Sequence, residues 1–307
     1  MAVRIACVGI AVLDHVFRLD ELPRAPRKHL ARGLATVLGG MAANAAAAAA
    51  RLGARVLLVS RVGADSAGAA ILAELDALGV DTRAVEQVAG LASSVSAVFV
   101  DAAGERLLVN YADSRLLEEA PAPAEPLPGP LDAVSIDGRW PRAAVAALEA
   151  AAERGIPGLA DLDHPMAEPW AARLLAAASH ICFSRDGLER WTGEASPEAG
   201  LRAIARRSPA ELAVTLGADG VLFREADRFV RLLAFPVRPV DTLGAGDTFH
   251  GALAVALGEG RDWSDALRFA AAAAALRCTR PSGRSAFPTR AEVEALLASH
   301  TAPELAP

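Results

Sequence analysis

Apolar positions along this chain fall into two patterns. Short continuous runs of four to seven residues take turns with longer stretches at helical spacing, almost from end to end. That alternation marks a layered α/β domain on a largely parallel sheet. The first run, residues 4–8, reads as a buried strand, and Asp14 stands in a short apolar segment after it. Residues 16–19 and 30–37 read as two short strands joined by a Pro- and Arg-rich turn. Gly39-Gly40 then opens an Ala-rich helix over 41–52. A strand at 56–62 precedes a helix over 67–78 that Asp65 can cap. Residues 94–100 and 106–111 flank Asp101-Ala102-Ala103-Gly104, a hairpin turn. Strands follow at 133–136, 158–161 and 180–183, with helices over 142–154 and 170–178 between them. Ser196-Pro197 starts another helix. Strands at 212–216 and 221–224 surround the turn 217–220. Helices complete the chain after Asp247, over 263–278 behind Asp262, and from the capping box at Thr289 and Glu292. The Pro-rich stretch 121–130 is a linker and not a domain boundary, because the alternation resumes unchanged after it.

Composition narrows the class. The chain has 307 residues, enough for one large α/β domain or two small ones, and with 53% of them hydrophobic and 22% charged it is globular. A net charge of −6 and a single tyrosine argue against a nucleic-acid-binding module. Cys7, Cys182 and Cys278 are scattered among apolar residues and read as reduced core thiols of a cytosolic protein. The apolar run near the N-terminus ends at Asp14 without a cleavage signal, and the Ala runs are too weakly hydrophobic for a membrane span.

The chemistry concentrates in Val240-Asp241-Thr242-Leu243-Gly244-Ala245-Gly246-Asp247-Thr248-Phe249-His250-Gly251. This is a polar turn feeding an apolar helix. Glycines there let the backbone come close to a ligand, and the helix start offers free N–H groups and the positive end of a dipole, a site for phosphate. Asp247 in that turn can take a proton from an attacking hydroxyl, as phosphoryl transfer to an alcohol requires. A plain capped turn would use the same residue types, but the string is longer than a cap needs. It resembles the C-terminal signature of the ribokinase-like (PfkB) carbohydrate kinases. Gly39-Gly40-Met41-Ala42-Ala43-Asn44, with Ala50–Ala54 and Arg61-Val62-Gly63-Ala64-Asp65 after it, resembles the N-terminal signature of the same family.

The resemblance implies a single ribokinase-like three-layer α/β/α domain over 1–307, with a small β lid from about 12–37 and 94–112. It implies an ATP-dependent sugar kinase with Asp247 as general base and the 244–247 turn (Gly244, Ala245, Gly246) around the transferring phosphoryl group. Gly39, Gly40 and Asn44 would border the sugar, and Asp14 would hold its hydroxyls. Thr215, Gly217, Gly220 and Thr242 would lie along ATP. Mg2+ would arrive with ATP, and no protein ligands are assigned to it, because the Asn-x-x-Glu pattern of many relatives is replaced here by Ser184-Arg185-Asp186-Gly187. A site for a monovalent cation such as K+ often lies between the 275–284 segment and the Asp241-Thr242 pair. A homodimer through the lid strands is also implied.

The acceptor is read from three further residues. Lys28, Asn110 and Arg139 match places where family members acting on 6-deoxy-6-sulfofructose grip a sulfonate, and two cations with an amide suit an anionic tail. The expected acceptor is therefore the 1-hydroxyl of 6-deoxy-6-sulfofructose. Another ketose or sugar acid (fructose, a fructosamine or 2-keto-3-deoxygluconate) is the alternative, and a non-catalytic sensor of sugar or nucleotide is a third reading.

Overall fold

The computed structural model describes residues 2–225 and 228–300. Its spine is a nine-stranded sheet in the order β13-β12-β11-β10-β9-β8-β1-β4-β5. Every neighbouring pair from β11 to β5 is parallel, and β12 and β13 return antiparallel at one edge. The strands are β1 (Arg4–Val8), β4 (Arg55–Gly63), β5 (Asp81–Val88), β8 (Ala133–Asp137), β9 (Gly158–Leu162), β10 (His180–Ser184), β11 (Glu211–Thr215), β12 (Val221–Glu225) and β13 (Arg228–Leu232). A parallel sheet needs a crossover between successive strands and cover on both faces. Nine helices among the described residues provide that cover.

Strand periodicity sorts the side chains into two cores. On β1, Ile5 and Cys7 point to one face while Ala6 and Val8 point to the other. The first face is covered by α1 (Met41–Arg51), α2 (Ser66–Ala77), α7 (Ala245–Gly258), α8 (Trp263–Cys278) and α9 (Arg290–Ser299). The second is covered by α3 (Pro141–Glu153), α4 (Trp170–Ala177), α5 (Arg185–Thr192) and α6 (Pro197–Ala205). The fold is thus the ribokinase-like α/β class expected.

A separate four-stranded sheet, β3-β2-β6-β7, stands beside this body. It comprises β2 (Val12–Arg18), β3 (Gly33–Gly39), β6 (Val95–Val100) and β7 (Arg106–Tyr111). Both hairpins expected from the sequence lie in it, joined by parallel pairing of β2 with β6. The first begins earlier than expected. Asp14 lies within β2 itself, opposite Val37 and Ser96, and Leu30 lies outside β3 and is exposed.

Three further elements are not expected from the sequence. β5 is an edge strand with alternating charged residues, β13 is a short outer return strand, and α5 buries only Gly187 and Leu188. α5 is defined by its ends instead. Ser184 Oγ accepts from the Gly187 N–H (3.0 Å), and Gly193 closes the helix in the left-handed conformation.

The crossing of α1 and α7 sets the spacing of the two helix starts. α1 presents a run of buried alanines from Ala45 to Ala49, and Gly251 of α7 meets Ala45 so closely that a Cβ at Gly251 would overlap the Ala45 carbonyl. Small residues on both helices bring their backbones together. Gly251→Ala is therefore expected to lower stability by about 1–3 kcal/mol, read as a drop of several degrees in the thermal unfolding midpoint. An unchanged midpoint would show that the crossing has slack.

Candidate active site

The functional residues gather at the carboxyl ends of the parallel strands, where an α/β sheet leaves a crevice for ligands. β8 ends in Asp137, β9 brings Asp161, β11 ends in Thr215, and β1 runs into Gly9. α7 aims its first turn at the same edge. Gly244 adopts the left-handed conformation (φ 73°) that lets the chain turn into the helix, and no side chain among the described residues caps the turn. The Ala245 N–H donates to the Thr242 carbonyl (3.3 Å), so the open donors of this turn are those of Gly246 and Asp247. Ala245, expected among the phosphoryl donors, is thus engaged within the turn itself.

α1 enters from the other side through Gly40 (φ 90°), where a side chain would meet the Ile10 carbonyl. Its first turn carries Asn44, whose Nδ2 donates to Asp247 Oδ2 (2.8 Å). Asp14 comes from β2, buried, and Gly39 lacks the Cβ that would overlap the Asp14 carboxyl. Asp14, Gly40, Asn44, Asn110, Arg139 and Asp247 all line one cavity of about 380 Å3, with Ser96, Asp113, Glu118 and Asp163 on the same wall.

Two expected residues behave differently. Lys28 is exposed in the connection between β2 and β3 and does not line this cavity. Arg139 does line it, but its guanidinium is paired with Asp163. Asn110 donates to Ser96 Oγ (3.1 Å) and the Val95 carbonyl (3.2 Å). The structure therefore does not bring the three residues of the anion grip together as free donors.

On the nucleotide side, Thr215 closes β11 and Gly217 opens a single 3-10 turn, Gly217–Asp219. Arg185 pairs with Asp219 there (2.9 Å). Thr242 is exposed. Among the described residues, no cluster of three or more His, Cys, Asp or Glu side chains is placed to hold a metal ion.

Three supporting residues carry no distinguishing signal in the sequence. Asp137, almost fully buried, accepts from the N–H groups of Ile10 (2.8 Å), Ala42 (3.1 Å) and Arg139 (2.9 Å). One carboxylate thus ties the segment after β1, the start of α1 and the Arg139 loop. Asp161 and His250 form the second feature. His250 Nδ1 lies 3.0 Å from Asp161 Oδ2 and 2.9 Å from the Gly246 carbonyl, while Nε2 faces the Cys182 carbonyl at 3.3 Å. Burial lowers the His250 pKa to about 4, so the ring is neutral and carries one proton. Burial, then the charges of Asp247, Asp163 and Asp137, push the Asp161 carboxyl upward. Nδ1 faces two oxygens and Nε2 a third, so the single ring proton serves one side of the imidazole at a time. The one hint for both carboxylates is an acid at the end of a buried strand.

Asp247 itself is pushed up to about 7. Desolvation is the main cause, the Asn44 amide opposes it, and the charges of Asp14, Asp137 and Asp163 add to it. A carboxylate with that pKa is a base matched to neutral pH.

Residues 3–290 match the family described as pfkB family carbohydrate kinase. A ribokinase of Bacillus subtilis is 35% identical over 295 residues, which is 95% of this chain and 99% of that one. A protein of Agrobacterium tumefaciens, provisionally named a ribokinase, has a solved structure with TM-score 0.91 and 36% identity, covering 97% of this chain and 98% of that one. The structure of Arabidopsis thaliana ribokinase complexed with ribose and ATP matches with TM-score 0.82 and 26% identity, covering 97% and 99%. The chain belongs to the PfkB carbohydrate kinase family. It is an ATP-dependent sugar kinase, and Mg2+ accompanies the ATP. The uncapped start of α7 fits a nucleotide phosphate.

The pH dependence follows from Asp247. If Asp247 is the base it works deprotonated, so kcat/KM should rise with pH through a midpoint near the free-enzyme pKa of about 7. Asn44→Ala removes a donor that favours the charged form, so the midpoint should move to higher pH. A flat profile between about pH 5.5 and about pH 8 would exclude Asp247 as the titrating base.

Proposed function

We propose that this kinase phosphorylates a hydroxymethyl group of a small uncharged sugar of the ribose or ketose class. The observation that carries this is the lining of the 380 Å3 cavity. Arg139 is the one cationic side chain among its described lining residues, and Asp163 neutralises it. Asp14, Glu118 and Asp247 add carboxylates that accept hydrogen bonds from hydroxyls and repel an anion, while Asp113 is paired with Arg115. The named ribokinases among the relatives support the same class.

In this reading Asp14 and Asn44 orient the sugar, and Asp247 accepts the proton of the attacking hydroxyl. The hydroxyl oxygen forms a bond to the γ-phosphorus, the bridging P–O bond breaks, and its electron pair leaves with ADP. The N–H groups of Gly246 and Asp247 donate to the transferring phosphoryl oxygens. Thr215, Gly217, Gly220 and Thr242 run along the nucleotide. Mg2+ offsets phosphate charge when bound. The four-stranded sheet serves as a lid whose closure keeps water from the γ-phosphate. Asp137 acts behind the site, holding three loops at the spacing the sugar requires.

The sulfosugar remains the competing acceptor, since Asn110 and Arg139 do line the cavity. A coupled ADP-release assay with Mg-ATP would compare ribose, fructose, 2-keto-3-deoxygluconate and 6-deoxy-6-sulfofructose. Turnover is expected with an uncharged sugar and little changed in Arg139→Ala. Preference for the sulfosugar, abolished by Arg139→Ala, would overturn the acceptor and restore the sulfonate grip. Asp247→Asn should reduce kcat by about 10²- to 10⁴-fold while ATP affinity stays close to wild type. No turnover of any sugar by the wild type would favour a sensor.

The same sheet offers a pairing surface. β7 lies at its edge with every residue exposed, including Leu108, Val109 and Tyr111. An exposed apolar edge strand invites a partner strand. We place a second copy there, in a cytosolic homodimer. Light scattering is expected to give twice the 31.7 kDa chain mass, and a monomer would exclude this arrangement.

A further inference from the structure

The space between the segment after α8 and the Asp241-Thr242 pair is where the family resemblance left room for a monovalent cation. The oxygens there already face a cation of the chain's own. Arg277, in the last turn of α8, is 3% exposed. Its Nη1 donates to the Arg280 carbonyl (3.0 Å) and the Asp241 carbonyl (3.4 Å), and its Nη2 donates to Ser282 Oγ (3.0 Å). Ser282 in turn donates its N–H (3.0 Å) and its hydroxyl (2.6 Å) to the Asp241 carboxylate. The other charged group facing that carboxylate is Arg18 of β2, at 3.9 Å.

The same side chain reaches the catalytic turn. The point where a Cβ on Gly244 would sit lies 3.9 Å from Arg277 Nε, 3.8 Å from Asp247 Oδ2 and 3.6 Å from Asn44 Nδ2. The guanidinium therefore lies alongside the cap of α7, and its buried Nε has no hydrogen-bond partner among the described residues.

A bare alkali ion needs a shell of oxygens that no other donor occupies. Here the Asp241 carbonyl, the Arg280 carbonyl and Ser282 Oγ each accept from Arg277 instead. A planar guanidinium carries five donors and stays charged at every working pH, so it meets several fixed acceptors at once. A second cation beside it would meet like-charge repulsion in a poorly screened site. The residues present do not fit an exchangeable ion.

We infer that Arg277 takes the place of a monovalent cation, as a tethered positive charge holding the 241–242 and 280–282 segments against the cap of α7. It touches no reacting atom and is a positioning residue. Its charge adds to the positive potential at the start of α7, where the phosphoryl oxygens are held. Phosphotransfer in this enzyme is then independent of K+, an inference that rests on the phosphotransfer reading of the site.

The test replaces K+ with tetramethylammonium, which is too large to enter, at constant ionic strength. It measures both turnover and the thermal midpoint of the ligand-free protein. Wild-type turnover should change by no more than about twofold, the scale of an ordinary salt effect, and its midpoint should not respond to K+. Arg277→Ser should lose about tenfold or more in turnover, as expected for a disturbed supporting shell. It should also gain a midpoint that rises with K+, because an ion that binds the vacated oxygens stabilises the folded state. Arg277→Lys retains the charge and should stay insensitive to K+. Wild-type turnover that collapses without K+, or a wild-type midpoint that rises with it, would overturn the inference. So would an Arg277→Ser variant that loses turnover with no response to K+, since Arg277 would then be a structural contact only. If Arg277→Ser does not fold, the two wild-type measurements still decide. Absence of turnover with every sugar in both salts would count against the phosphotransfer reading, while the melting data would still judge Arg277.

Discussion

One hydrogen bond, from the Asn44 amide to the Asp247 carboxylate, joins residues 203 positions apart at the meeting point of α1 and α7. It depends on the two helices crossing almost in backbone contact, which the alanines of α1 and Gly251 of α7 permit. A bulkier crossing would separate the two helix starts, and with them the sugar side of the site from the phosphate side. The small residues that look featureless in the sequence are therefore what sets the distance between Asn44 and Asp247.

The electrostatics follow from where these helices point. Four carboxylates are desolvated together: Asp14 within β2, Asp137 and Asp161 near the ends of parallel strands, and Asp247 at a helix start. Each has its proton affinity raised by desolvation, and their mutual repulsion adds to it for Asp161 and Asp247. The fold manages that crowding locally. Asp137 is given three backbone N–H donors, Asp161 is paired with a neutral imidazole, and Asp247 receives one amide. Asp247 has few donors and lines the open cavity, which is what leaves it basic near neutral pH. Arg277, on the far side of the Gly244 cap, balances this negative cluster with a fixed positive charge.

The acceptor assignment shows how residue identity and residue state diverge. Arg139 and Lys28 are cations in the sequence and point to an anionic tail. In the fold, one is committed to Asp163 and the other stands outside the cavity, so the wall presents net negative charge. Asp163 is as visible as Arg139 in the sequence, but 24 positions separate them. Nothing in either segment announces that β8 and β9 are neighbours whose trailing loops face each other.

Local features of the chain settled a large part of this protein. Apolar runs and their spacing determined the strands of the central sheet, because buried parallel strands must be continuously apolar. Helix starts were legible where a capping side chain precedes an apolar stretch at helical spacing, as at Asp65, Ser196, Asp262 and Thr289. The Gly-Ala-Gly-Asp turn was legible because its chemistry is contained in consecutive residues. Short peripheral elements were not: β5 and β13 are the edge strands of the sheet, and α5 is defined by its caps. Only the tertiary structure decided the partners of the charged side chains. Asp137, Asp161 with His250, and Arg277 acquire their roles from groups brought by other strands and helices. Hydrogen bonding and desolvation depend on three-dimensional neighbours, and spacing along the chain does not carry that information.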